Sequence, residues 1–170
     1  MSLASVRAFF AQHAPEIPVL ELETSTATVA LAAEVLGVEP GQIAKTLSLR
    51  VGEEVILLVA RGDARLDNRK YKQHFGVKAR MLDAAQVEEA TGHPVGGVCP
   101  FGLPHALKVF CDISLKDFPV VFPAGGAPNA AVRIEPEQMA ALVNAQWVDV
   151  AVGERASRDE TDIACTSGVA

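Results

Sequence analysis

The chain has 170 residues, 49% of them hydrophobic, with 15 Lys and Arg against 21 Asp and Glu for a net charge of −6. That composition supports one packed domain and excludes a wholly disordered chain, and the acidic balance excludes a simple basic nucleic-acid coat. The average hides one basic stretch, where Arg61, Arg65, Arg69, Lys70, Lys72, Lys78 and Arg80 stand against Asp63 and Asp67, so one face is expected to meet an anion.

Ser2 is placed to cap a first helix whose apolar residues Leu3, Val6, Phe9 and Phe10 recur at helical spacing, with Pro15 and Pro18 ending it. Gln12 and His13 interrupt this stretch, so it lacks a signal-peptide core. Residues 19–22 read as a short strand. Ser25 and Thr26 offer capping hydroxyls ahead of an Ala-rich helix over 29–36, stopped by Gly37. After the Pro40-Gly41 turn come two strand-like runs, 46–51 and 55–60, joined at Gly52. The second is about the longest apolar run, far short of the ~20 residues that cross a bilayer, so no membrane partner is expected.

Asp67 is a plausible N-cap for a basic helix through His74, closed by Gly76. Residues 77–82 predict a strand, and Asp83 caps a further helix up to Thr91-Gly92. Residues 93–104 are too dense in Gly and Pro for a regular element. Strands are expected at 107–111, 120–122 and 130–134, with a turn-rich segment at 124–129 between the last two. Pro136 suits the first position of a helix running to Asn144. Hydrophobicity drops after Asp149, which predicts a domain over 1–150 and a mobile polar tail over 151–170. Interspersed helices and strands favour an α/β or α+β domain, with a mixed central β-sheet flanked by helices.

The usual catalytic signatures are absent: no G-x-S-x-G elbow, Walker loop, H-E-x-x-H or dinucleotide fingerprint. His13, His74, His93 and His105 have no metal-ligand spacing among themselves or with the cysteines, so no metal and no organic cofactor is expected. Cys99, Cys111 and Cys165 form no C-x-x-C pair, and an odd number leaves one unpaired, which points to a reduced cytoplasmic protein. Cys99 reads either as a small buried residue or, from its Gly/Pro loop, as pocket lining.

Lys45 opens an apolar strand just after a turn. It is either a strand-edge lysine reaching solvent or a cation held in a cleft for a phosphate or developing oxyanion. The loop Gly96-Gly97-Val98-Cys99-Pro100-Phe101-Gly102 lets a ligand approach the backbone and lets N–H groups converge on an anionic oxygen. Gly125-Gly126 forms a third turn of this kind. Each of these loops could equally be a plain connection.

In this order and at these separations, the helix over 28–37, the Ala44-Lys45-Thr46-Leu47 strand, the Gly-Gly-x-x-Pro-x-Gly loop and the Gly125-Gly126 turn before a strand and a Pro-Glu helix resemble the YbaK/ProX family of aminoacyl-tRNA editing proteins. That family includes the insertion domain of bacterial prolyl-tRNA synthetases, and the resemblance covers about residues 1–150. It implies a hydrolase that cleaves the ester of mischarged tRNA, with a small amino acid on tRNA for proline as the expected substrate. The family's lysine falls on Lys45 and its glycine loop on Gly96, Gly97 and Pro100. Leu20, Ala124 and Ala131 are aliphatic or small where some members carry aromatic, serine or acidic residues, so the resemblance implies the class of reaction more than the amino acid removed.

The expected catalytic residues are Lys45 and Gly97. Thr46, Gly96, Cys99, Pro100 and Gly125 are expected to bind substrate, and Arg69, Lys70 and Lys72 the tRNA backbone, which is the solvated helix face otherwise. Mischarged tRNA is the expected partner, with an aminoacyl-tRNA synthetase as a second and DNA as none. A non-catalytic RNA- or synthetase-binding module on the same fold is the alternative.

Overall fold

Local signals set most helix boundaries in the computed structural model, which describes residues 2–153. Helix α1 spans Ser2–His13. In α2, Val29–Leu36, the Thr28 hydroxyl accepts from the Leu31 N–H at 3.1 Å, and Gly37 ends the helix at a φ of 71°. Asp67 caps α3, Asn68–Phe75, by accepting from the Lys70 N–H. Asp83 and Gln86 form a reciprocal capping box on α4, Ala84–Thr91. Helix α5 spans Pro136–Leu142, two residues short of the expected Asn144, which takes a left-handed φ of 55°.

A mixed five-stranded sheet occupies the centre. Its long antiparallel hairpin joins β2, Ile43–Val51, to β3, Glu54–Arg61, with Lys45 opposite Ala60. Parallel neighbours extend it: β6, Phe122–Pro123, beside β2; β5, Lys108–Asp112, beside β3; and β8, Gln146–Val148, beside β5. Two antiparallel pairs stand outside it. One joins β1, Val19–Glu21, to β7, Ala130–Val132; the other joins β4, Ala64–Leu66, to β9, Ala151–Gly153.

Residues Ile56 to Ala60 are all buried because both faces of β3 are covered. Leu57 and Val59 pack with Val6, Phe10, Cys99 and Phe101 on one side. Ile56 and Leu58 pack with Tyr71, Val148 and Val150 on the other.

Two expectations need correction. Residues 77–82 form no regular strand; they touch β2 through one bridge, Met81 to Leu49, and hydrogen bonds from Arg50 N–H to the Arg80 carbonyl and from Leu82 N–H to the Ser48 carbonyl. The polar tail also does not begin at 151. Buried Asp112 accepts from the Val150 and Ala151 N–H groups at 2.7 and 3.1 Å, which holds the chain in place to form β9. The rest of the expected tail lies outside the described residues. Among the described residues no helix is long and apolar enough to cross a membrane.

Candidate functional site

A cavity of about 270 Å³ opens where β2 leaves the cover of β6. Its walls come from α2 through Val29, Ala32 and Leu36, from β2 through Ala44, Lys45, Thr46 and Ser48, and from Ala124, Ala130 and Ala131 near β7. Ala44, Thr46 and Ser48 share a face by the strand period of two. Small residues at Ala32, Ala44, Ala130 and Ala131 create the space. Apolar neighbours such as Leu82, Val87 and Phe122 make it unfavourable for a charged group without a partner.

Lys45 borders this cavity and, among the described residues, is the one ionisable side chain that does. Its ammonium donates to the Ala64 carbonyl at the start of β4. Burial lowers its pKa, and the nearby Asp63 charge works the other way. Asp63 is itself held by Arg61, through bonds of 2.7 and 2.8 Å. Hydrogen bonding to that guanidinium keeps its carboxyl below the usual range despite some burial. Thr46 borders the cavity too, and its hydroxyl is shielded from solvent without a hydrogen-bond partner. A shielded hydroxyl with spare capacity can serve a polar group of a ligand.

The glycine loop is divided between two surroundings. Gly96 and Val98 border the cavity, whereas Gly97, Cys99 and Phe101 turn away from it into buried positions. The turn at Gly96, with its φ of 96°, divides the loop in this way. The expected oxyanion donor at Gly97 is therefore a correction: its N–H donates to the Pro94 carbonyl at 2.9 Å, and its carbonyl accepts from Gly126 N–H at 3.0 Å. A Cβ there would stand 2.6–2.8 Å from the Ala127 backbone, so glycine is required by a close approach of two chains. Gly125 likewise spends its N–H on the Ala130 carbonyl and does not line the cavity, though its neighbour Ala124 does. Pro100 borders a different depression, beside Leu103 and Lys108.

Cys99 is also corrected, to a core position. It is fully buried, with Sγ 3.7 Å from His93 Nε2 and 3.8 Å from the Phe101 carbonyl, and burial pushes its thiol up to about 12. Neutral at working pH and shielded, it is a poor nucleophile. Thiol-alkylating reagents are accordingly expected to leave Cys99 unmodified in the folded protein and to reach it only in denaturant, as peptide mass mapping would show. Rapid labelling of the native chain at Cys99 would contradict this placement.

The basic stretch does not act as one surface. Arg61 is buried, paired with Asp63 and Asp117 and set over the Phe118 ring, so it braces the fold. Lys70 on α3 is paired with Asp149 at 3.1 Å. Arg69 and Lys72 are exposed and flank a depression of about 380 Å³ together with Asn68, Lys78 and Ala79.

Several lining residues have no distinctive signal in the sequence. Ser48 lies buried in the cavity wall. Thr26, read only as a cap candidate, instead donates its hydroxyl to the Pro128 carbonyl and fastens the start of α2 to the Gly125-Gly126 turn region. Among the described residues, no group of three His, Cys, Asp or Glu side chains could hold a metal ion.

A family model described as "Aminoacyl-tRNA editing domain" matches residues 23–142. Every residue lining the cavity falls inside that stretch. A Bacillus subtilis (strain 168) protein named "Uncharacterized protein YwhH" is 52% identical over 152 residues, covering 88% of this chain and 97% of that one. The proline–tRNA ligase of Citrifermentans bemidjiense is 34% identical over 107 residues, which are 62% of this chain and 19% of the ligase. The similarity therefore concerns one segment of that larger enzyme. A crystal structure of "a putative trans-editing enzyme for prolyl tRNA synthetase" superposes with a TM-score of 0.82 and 34% identity, over 89% of this chain and 98% of that chain.

Proposed function

Because the chain belongs to the aminoacyl-tRNA editing domain family, we propose that it is a trans-acting deacylase that hydrolyses the ester of mischarged tRNA, with a small amino acid on tRNA for proline as its substrate. The observation that carries this reading is the small, mostly apolar cavity whose lining, among the described residues, holds a single ionisable side chain, Lys45. An aminoacyl ester is already activated, so a strong protein nucleophile is not needed. Water attacks the ester carbonyl, the bond to the ribose oxygen breaks, and the amino acid departs as a carboxylate while the ribose hydroxyl takes up a proton. Lys45 stabilises the negative charge that develops on the carbonyl oxygen, or orients the terminal adenosine beside it. Thr46 offers its spare hydroxyl to the same bound group, and Gly96 and Val98 complete the wall.

Selection by size gives such an enzyme its purpose. One methylene is worth only about 1–3 kcal/mol in a synthetic pocket, so a synthetase cannot strongly reject a smaller amino acid. A second site that admits only small side chains removes the error. A panel of tRNAs mischarged with amino acids of increasing size tests this: release is expected for the smallest side chains and to fall off as they outgrow the cavity. Release that rises with size would refute the sieve.

Arg69, Lys70 and Lys72 are assigned to the tRNA backbone. Replacing all three with Ala should weaken tRNA binding and flatten its salt dependence, by about 0.9 in log–log slope for each phosphate that is no longer neutralised. Since Asp149 already engages Lys70, Arg69 and Lys72 are expected to supply most of the change. Titrations of tRNA affinity against salt read it directly, and an unchanged slope would make α3 a solvated face only. The enzyme is assigned to the cytoplasm, where its substrate is made.

A further inference from the structure

We propose that the segment of residues 78–82 is the track for the single-stranded 3′ end of the RNA, with Met81 and Val95 holding the terminal base and Lys78, beside Arg69 and Lys72, taking a backbone phosphate upstream. The occupant rests on the deacylase reading; the track itself rests on three independent observations.

The first is placement. Lys78 and Ala79 border the basic depression, whereas Met81 and Leu82 border the cavity of Lys45, so one short run of chain connects the two. Its residues 80–82 lie against β2, held by the Met81–Leu49 bridge and the bonds at Arg80 and Leu82. Extended chain rises about 3.3 Å per residue, which puts Lys78 within about 10 Å of Met81 along the track. A nucleotide strand can cover that distance within a few residues of its end.

The second observation is exposed apolar surface at the mouth. Met81 is 56% and Val95 61% exposed, the highest values for large hydrophobic side chains among the described residues, and both line the same cavity. A flexible thioether and a branched aliphatic side chain at one cavity suit the flat face of a base, and such packing tolerates any base.

The third is charge. Arg69, Lys72 and Lys78 make no salt bridge among the described residues, unlike Arg61 and Lys70. Asp67 caps the same helix, but its carboxylate is engaged by the Lys70 N–H. Three cations around one concavity in a chain of net charge −6 match a phosphodiester.

The test uses the full chain with two esters, an aminoacyl-adenosine and an aminoacylated RNA minihelix, together with uncharged minihelix for binding. Lys78→Ala should lower the salt slope of minihelix binding by about 0.7, the value for one neutralised phosphate on a single strand. It should also lose more kcat/KM on the minihelix than on the aminoacyl-adenosine. Met81→Ala should cost about tenfold in kcat/KM on both esters, since both carry the base, and Met81→Leu should restore most of it. A thermal midpoint unchanged in Met81→Ala would separate weaker base binding from damaged packing. If wild type hydrolyses both esters while the Lys78 and Met81 variants behave like it, the track is wrong and the deacylase reading stands. If wild type hydrolyses neither ester but the Lys78 variant still loses salt slope, the deacylase reading fails and the phosphate seat stands.

Discussion

Lys45→Ala is expected to lower single-turnover deacylation by about 10²–10³-fold, the cost of removing one group that stabilises an oxyanion. Among the described residues no other cation lines the cavity to take its place. The fold should survive. The ammonium is only part-buried, its partner is one backbone carbonyl at the start of β4, and its desolvation already opposes its charged form. Circular dichroism and a thermal midpoint near wild type would show that the loss is chemical. Lys45→Arg is a sharper probe, because it keeps the charge but changes the reach and the hydrogen-bonding fork. Undiminished turnover in the alanine variant would remove Lys45 from the chemistry.

Gly97→Ala should fail for a different reason. The added Cβ would lie 2.6–2.8 Å from backbone atoms of Ala127, and backbone cannot swing aside as a side chain can. Either the Gly97–Gly126 bond breaks or the two loops part. Overpacking of this kind costs about 1–3 kcal/mol, which corresponds to a fall of roughly 3–10 °C in Tm for a chain of this size. Activity should fall with stability and return on cooling or in stabilising osmolyte, because the Gly97 N–H serves the Pro94 turn and not the cavity. A variant of wild-type Tm that is catalytically dead would instead restore Gly97 to the oxyanion site.

What could be read in advance follows the range of the interactions. Asp67 and Asp83 with Gly76 and Gly92 delimit two helices, and Gly37 ends a third, through bonds between residues a few positions apart, so their signals sit together in the chain; the cap of that third helix is Thr28 and not the expected Ser25 or Thr26. The β2–β3 hairpin is legible for the same reason. Strands β4 and β9 are not: each has three residues, too few for a period, and Arg65 meets Val152 only because buried Asp112 ties down the chain before β9.

The same division runs through the site. Local features alone leave Lys45 and the glycine loop open between a plain role and a pocket role; the family resemblance implies the pocket role, and Lys45, Thr46 and Gly96 do line the cavity. Cys99, Pro100, Gly97 and Gly125 share those features but face elsewhere, and which way a loop residue turns depends on chains it meets later, such as Ala127 and Ala130. A tally of positive charge likewise cannot show that Asp117, far along the chain, would withdraw Arg61 from the surface.

An ester hydrolase and a module that merely holds RNA differ in one observable, the release of free amino acid. It is measured on tRNA for proline charged with a small labelled amino acid, using enzyme in excess and comparing wild type with Lys45→Ala. Rapid release by wild type is expected, with little above the spontaneous rate by the variant, and the tRNA should be recovered uncharged. Retention of intact aminoacyl-tRNA by wild type, with no release above background, would make the protein a binding module and overturn the deacylase assignment.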